Sequence, residues 1–434
     1  MTNTLPERKV EKILAASRDV LSADRLCIRD IASLLGQYGA TAEAVPYAIL
    51  HFRELERCKN AALVEMRGNF EANLSLSPGA RDDVAWWVSH LAHQKRYVQP
   101  LPVALTIYTD ASKSGWGATC GSISTSGYWL EQEWLDADIN VLELTAAKFA
   151  LFSFEKEINH AVSDGVLCDR HPHTHLRLML DNTTAIAYIN HFGGTRSRKC
   201  HQLSFEMWTW AEARGIWLSA AHVPGVHNQD ADLLSRKKDD NKEWALSPPM
   251  FQSVVKHFGC PTIDLFASRT NKKLSVYVSW HPDPDSVAID AFTFSWLPYF
   301  PYCFPPFSKV GDVLRKLREE RIPEAVLIAP LWHTQGWYPI ALSMLIDCPL
   351  VFQAAKENLY LPHRPGEVHP LYPSLHMVAM KLSGVPSRAT DFLLAQKESS
   401  QDRGDRTRGR GTRRFLPNGK AFVLRGTLIP FIQL

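Results

Sequence analysis

The sequence predicts an α/β protein: a mixed sheet with flanking helices, preceded by a helical segment and followed by a second α/β domain. Three observations predict it. Through the first hundred positions apolar residues recur at spacings of three and four. After Pro100 and Pro102 the period drops to two. From there to residue 236, strand-like runs interleave with helical patterns in the order β-β-β-α-β-α-α-β-α.

Within 1–100, Val10, Ile13, Leu14, Ser17, Val20 and Leu21 form one stripe beside Arg8, Lys9, Glu11 and Lys12, which is an amphipathic helix. Gly36, Gly39 and Pro46 punctuate a second and a third helix. A fourth starts at Ser77-Pro78, with Trp86, Trp87 and Leu91 facing inward and Asp82-Asp83 read as first-turn acids favoured by the helix dipole. No Tyr-x-Asp-Asp pair occurs in the chain.

Over 101–237, Val103, Leu105, Ile107 and Thr109 alternate with their neighbours and end at Asp110, a strand with a carboxylate at its tip. Strands are expected over 117–122 and 127–133. A helix capped at Asn140 follows, carrying Glu143 in its first turn, then a polar loop. Leu176 to Leu180 is a short strand ending at Asp181. Thr183 to Asn190 is a helix, and Ser204 to Ala213 belongs to another, in which only one of Trp208 and Trp210 can face the core. The strand Ile216 to Ala221 leads through His222, Pro224 and Gly225 to a helix holding Asp232. The cluster Cys168, His171, His173 and His175 is compatible with zinc but reads as a solvated loop.

Composition bounds the function. A chain of 434 residues, 45% hydrophobic and 21% charged, can form several cores, and a net charge of +3 does not by itself announce a nucleic-acid partner. Eight cysteines without a C-x-x-C pair argue against a disulfide framework and a zinc ribbon. No secretory signal and no membrane-spanning stretch is visible, so a cytoplasmic or nuclear location without a membrane partner is expected. Asp110, Glu143, Asp181 and Asp232 lie at the ends or edges of elements that one sheet edge can bring together. Clustered carboxylates repel unless a divalent cation neutralises them, and oxygen donors suit Mg²⁺ or Mn²⁺.

The stretches around these acids are Thr109-Asp110-Ala111-Ser112, Leu142-Glu143-Leu144, Leu180-Asp181-Asn182 and His222-Val223-Pro224-Gly225, with Asn228, Ala231-Asp232 and Leu234-Ser235-Arg236. In this order they resemble the ribonuclease H domain of reverse transcriptases. Ile139 to Glu143, Tyr188-Ile189-Asn190 and Gly193 to Arg198 look most like DIRS-type retrotransposons. The resemblance implies a ribonuclease H-like fold and Mg²⁺-dependent cleavage of the RNA strand of RNA–DNA hybrids. It implies that Asp110, Glu143, Asp181 and Asp232 hold two Mg²⁺ ions, one activating a water and the other stabilising the leaving oxygen. His222 matches the family's mobile histidine. Asn182 is the candidate for 2′-hydroxyl contact, and Arg196, Arg198 and Lys199 are candidates for phosphate contact.

The segment 1–100 looks like the thumb or connection preceding such a domain. No palm is present, which leaves a polymerase palm on another chain as a candidate partner. After a linker at Lys237 to Asp240, the domain at 244–390 resembles phage-type adenine-N6 methyltransferases in Asp264 to Ser268, Phe304-Pro305-Pro306-Phe307 and Leu327 to Pro330 with Trp337. It departs from them at Phe304, where those enzymes carry an Asn or Asp that accepts from the adenine amine, so it reads as degenerate. Residues 395–434, with nine Lys or Arg against three acids, read as a disordered basic tail. The leading expectation is thus a hybrid-specific ribonuclease H. A catalytically silent nucleic-acid-binding relic and a DNA adenine methyltransferase are the alternatives.

Overall fold

The computed structural model describes residues 2–23, 25–97, 102–135, 137–166, 173–236, 244–396 and 421–434. The expected linker at 237–240, Cys168, His171 and the Arg-Gly run from 403 to 410 lie outside the described residues. The chain divides into two compact units, residues 1–126 with 133–236, and residues 127–132 with 237–434. Among the described residues, no helix is long and apolar enough to cross a membrane.

The first unit opens with α1 (Glu7–Ser22), α2 (Ile28–Gly39), α3 (Arg53–Glu65) and α4 (Pro78–His90). The α1 stripe packs as its period requires: Ile13, Ser17 and Val20 are buried, and the Ser17 and Tyr38 hydroxyls bond at 2.8 Å. Tyr38 in turn stacks on Trp87 at 4.0 Å. Ser77 caps α4, accepting from the Ala80 amide, with Pro78 at the first helical position where its missing N–H costs nothing.

Asp83 differs from expectation. It lies past the first turn of α4, only 4% exposed, and accepts the Leu55 amide at 2.9 Å. It therefore caps the N-terminus of α3 from a neighbouring helix, a tertiary contact that local spacing does not encode. Burial, its largest influence, pushes its carboxyl up to about 7. A carboxyl raised from its ordinary 3.8 costs nothing well below that value, where both folded and unfolded states are protonated; the penalty grows as pH rises from 3.8 towards about 7 and is fully present above it. Asp83→Asn keeps an acceptor for Leu55 without the charge. It is expected to melt higher than wild type at pH 8, with the gap closing only by about pH 3. Asp83→Leu, which removes the charge but strands the Leu55 amide, should be less stable than Asp83→Asn by about 1–3 kcal/mol.

The sheet of this unit comprises β1 (Val103–Ala111), β2 (Gly115–Cys120), β3 (Ile123–Tyr128), β4 (Thr174–Leu180) and β5 (Ile216–His222), in the order β3-β2-β1-β4-β5. β2 runs antiparallel to β1, whereas β4 is parallel to β1 and β5 parallel to β4. With helices α5 (Ile139–Ser153), α6 (Glu155–Val166), α7 (Thr183–Asn190), α8 (Arg198–Glu212) and α9 (Gln229–Arg236) around it, this is a ribonuclease H-like fold.

Four local expectations shift. The strand expected over 127–133 lies at Ile123–Tyr128, and Glu131–Trp134 forms a short helix. The cap of α5 is Asp138, whose side chain accepts from the Val141 amide, so Glu143 sits in the second turn and not the first. α6 occupies the first part of the expected polar loop; most of its residues are polar, and Ile158 is the buried one among its described side chains. His175 lies on β4 and its Nε2 bonds the Ser219 hydroxyl at 2.7 Å, so it is a strand residue and not part of a loop. Of the two tryptophans on α8, Trp208 is the buried one, and its indole N–H donates to the Ile189 carbonyl.

The second unit contains α10 (Pro248–Phe258), β6 (Ile263–Asp264), β7 (Pro301–Cys303), α11 (Val310–Glu319), β8 (Ala325–Pro330), α12 (Trp337–Leu342), β9 (Leu350–Phe352), β10 (Met377–Leu382) and α13 (Pro386–Leu394). Every residue of β8 is buried, with Leu327 and Ala329 facing one core and Val326 and Ile328 the other. A continuous apolar run is what a strand covered on both faces requires.

The chain's end is a correction. β11 (Ala421–Leu424) and β12 (Thr427–Pro430) pair as a hairpin, and β13 (Ile432–Gln433) lies parallel to β9 at the edge of the sheet β6-β7-β8-β10-β9-β13. Phe422, Ile429 and Phe431 are buried in the core. The basic composition of 395–434 is an average dominated by the arginines before residue 415, and it hides the apolar alternation that follows.

Candidate metal centre

Four elements deliver the acids. β1 carries Asp110 near its end, α5 carries Glu143, β4 ends one residue before Asp181, and α9 carries Asp232. Because β1 and β4 are parallel neighbours, their carboxyl ends emerge side by side, and α5 packs across β1 and β2. Asp110, Glu143 and Asp181 each offer an oxygen, and these atoms all lie within 4.8 Å of one another. Asp232 lines the same open cleft, of about 470 Å³, together with Asn140, Asn182, Thr183 and Arg236. It stands apart from the other three in one respect: its Oδ1 is held by Arg236 Nε at 2.7 Å.

Asp110 and Glu143 are only 5% and 3% exposed. Asp110 Oδ2 and Glu143 Oε2 have no hydrogen-bond partner among the described residues. Burial, reinforced by Asp181 and Asp232, pushes the Asp110 carboxyl up to about 6 against the Ser235 hydrogen bond. Burial, reinforced by Asp110 and Asp181, pushes Glu143 up to about 9 against the Ala111 amide. Two buried carboxylates with unanswered oxygens and like-charged neighbours form an arrangement that a cation relieves. With only oxygen donors and no Cys or His in the cluster, it fits a hard divalent ion such as Mg²⁺ or Mn²⁺, and the residues present could hold one.

The placement of α9 depends on close contacts. Asn228 Nδ2 donates to the Thr109 carbonyl at 3.0 Å, and the Ser112 hydroxyl donates to the Ser235 carbonyl at 2.8 Å. Gly117 on β2 lets the helix approach: a Cβ there would stand 2.5 Å from the Ala231 carbonyl and 2.6 Å from the Leu234 Cβ. Asp232 lies between those two residues. Gly117→Ala is therefore expected to push α9 off the sheet and lower stability by about 1–3 kcal/mol, read as a fall in melting temperature.

The remaining expected site residues are dispersed. Asn182 faces the cleft as the N-cap of α7; its Oδ1 accepts from the Ala185 amide at 2.8 Å and its Nδ2 donates to Asn140 Oδ1 at 3.0 Å. His222 is exposed at the end of β5, opposite Leu180 in the register, and does not line the cleft. Arg196, Arg198 and Lys199 are exposed at the start of α8, also outside the cleft. Sequence reasoning took Asn140 for a helix cap, a role Asp138 fills, and gave neither Asn140 nor Arg236 a place in the site. For Arg236 a signal existed, since its spacing of four from Asp232 on a helix is that of an ion pair.

In the second unit, Asp264 is buried and accepts the Lys273 amide at 2.9 Å, which makes it a loop anchor. Phe304 packs against the core and presents no acceptor.

No protein-family model matches the chain, and no curated protein is similar to it in sequence. Among solved structures, ribonuclease H1 of the halophilic archaeon Halobacterium salinarum NRC-1 is similar over 30% of this chain and 92% of its own, at 16% identity and a TM-score of 0.20. A foamy viral protease-reverse transcriptase in complex with an RNA/DNA hybrid is similar over 56% of this chain and 31% of its own, at 12% identity and a TM-score of 0.20. The same viral enzyme with double-stranded DNA is similar over 51% of this chain and 42% of its own, at 13% identity and a TM-score of 0.18. The chain thus spans less than half the length of these viral proteins. The assignment of the fold rests on strand order and direction, not on these scores.

Proposed function

We propose that the first unit is a divalent-metal-dependent nuclease that hydrolyses the RNA strand of RNA–DNA hybrids, of the kind found in DIRS-type retrotransposon reverse transcriptases. The observation that carries this reading is the convergence of Asp110, Glu143 and Asp181, with buried unanswered oxygens, at the carboxyl edge of a ribonuclease H-like sheet.

In this reading Asp110, Glu143, Asp181 and Asp232 would hold two Mg²⁺ ions. Bound there, Mg²⁺ would supply Lewis acidity at a phosphodiester and lower the pKa of an attacking water. The chain's own residues do the rest. Burial of Asp110 and Glu143 makes their charged forms costly, a cost that a proton relieves in the metal-free protein and a cation would relieve in its place. Arg236 holds Asp232 at the cleft wall until a cation competes for its carboxylate. Asn182, already fixed by its cap and by Asn140, offers its remaining amide hydrogen to a 2′-hydroxyl, the group that distinguishes RNA from DNA. Arg196, Arg198 and Lys199 would take phosphates, and His222, at the strand end beside Leu180, would assist proton transfer or product release.

The test is direct. A labelled RNA–DNA hybrid should be cut with Mg²⁺, spared with EDTA, and spared by Asp181→Asn, an exposed position at which folding should survive. Equal behaviour of wild type and Asp181→Asn would remove the nuclease reading, and binding without cleavage would favour a silent nucleic-acid binder.

A further inference from the structure

The connection between α7 and α8 carries Arg196, and the first turn of α8 adds Arg198 and Lys199. Consecutive residues at the N-terminus of α3 grip both ends of this stretch. At its entry, Arg53 Nη2 donates to the His191 carbonyl at 2.7 Å. At its exit, Glu54 Oε1 meets His201 Nε2 at 2.9 Å. His201 is 1% exposed, and Glu54 is itself held by Arg57 at 3.2 Å.

The stretch between the two grips has little freedom of its own. Gly193 adopts φ +95° and lies so close to His201 that a Cβ would stand 2.4 Å from Nδ1. The Ser197 amide donates to the Tyr188 hydroxyl at 2.8 Å, and the Ser197 side chain accepts from the Cys200 amide. None of Arg196, Arg198 and Lys199 has an ion-pair partner among the described residues, so the whole stretch presents unneutralised charge on a braced backbone. His201 is the fourth residue of α8, and fixing it fixes the turn from which Arg198 and Lys199 project.

We propose that Arg53 and Glu54 are positioning residues for nucleic-acid binding: through His191 and His201 they set the location of the basic stretch, making the helical segment part of the substrate-binding device. The inference rests on the nuclease reading for the substrate and on these contacts for the role.

The test uses the full chain and a fluorescent RNA–DNA hybrid, with affinity read in the Asp181→Asn background and KM and kcat read in the parent. Glu54→Ala should raise KM and Kd about tenfold while leaving kcat within about twofold. It should also flatten the slope of log affinity against log salt by about 2, since two or three phosphate contacts are mispositioned. Glu54→Gln, which keeps an acceptor for His201, should restore most of the affinity. Because Glu54→Ala could act by unfolding, the exposed triple variant Arg196→Ala, Arg198→Ala, Lys199→Ala supplies the second arm. If Glu54 works through the basic stretch, adding Glu54→Ala to the triple variant should cost no further affinity. Additive losses, or a fall in kcat with KM unchanged, would overturn the proposal while leaving the nuclease reading intact. A wild-type chain that binds hybrid normally but does not cut it would remove the nuclease reading and leave the positioning role to the affinity arm. A chain that neither binds nor cuts removes both.

Discussion

Asp110→Asn is expected to abolish hybrid cleavage and, without metal, to make the protein more stable. The two effects have one cause. A carboxylate raised to about 6 by burial and by its acidic neighbours is a liability to the metal-free fold at neutral pH. The sign follows from linkage. Below about pH 3 the group is protonated in both folded and unfolded states and costs nothing. Between pH 4 and 6 the unfolded state loses its proton first, and above 6 the full penalty is present. An amide of the same shape removes it, so the variant should gain on the order of 3 kcal/mol at pH 7.5 in EDTA and nothing at about pH 3. Millimolar Mg²⁺ should raise the melting temperature of wild type and leave that of the variant nearly unchanged. Thermal melts at two pH values, with and without metal, check all four arms. If Asp110→Asn destabilised the metal-free protein at pH 7.5, the carboxylate would instead be a structural acceptor.

The second large effect concerns the last fourteen residues. Truncation after Lys420 removes β11, β12 and β13, and with them the buried side chains of Phe422, Ile429 and Phe431. At about 1.5–3 kcal/mol for each side chain, the loss approaches the whole stability of an ordinary domain. The truncated chain is expected to lose the cooperative unfolding of its second unit while the first still melts normally. A dispensable tail, as composition alone suggests, would leave both transitions in place. Calorimetry separates the two outcomes.

Legibility in the sequence followed the range of the interactions. The helices at 7–22 and 78–90 carried their own signals, an apolar stripe in the first and Ser77-Pro78 at the start of the second, and these depend on neighbours along the chain. The strands ending near Asp110 and Asp181 were legible because alternation or an apolar run stops at an acid, which is also why those positions stood out as candidate ligands. What escaped was tertiary. Asp83 caps a helix 28 residues away, Gly117 is required by a helix more than a hundred residues later, and Glu54 meets His201 across 147 positions. No local window contains both partners of such contacts. The terminal hairpin was missed for a different reason, since an arginine-rich neighbour set the average for the window that contained it. Within the candidate site, the acids were visible singly, but the division of Asp232 from the other three required coordinates, because it depends on where the Arg236 side chain reaches.

The central claim is that the acidic cluster hydrolyses one strand of a hybrid. It is tested most directly with a duplex whose RNA and DNA strands carry different labels, incubated with the purified chain. Mg²⁺-dependent shortening of the RNA label alone is expected, with the DNA label intact and no shortening with Asp110→Asn. Cleavage that persists in Asp110→Asn or in EDTA, or that falls on the DNA strand, would contradict it.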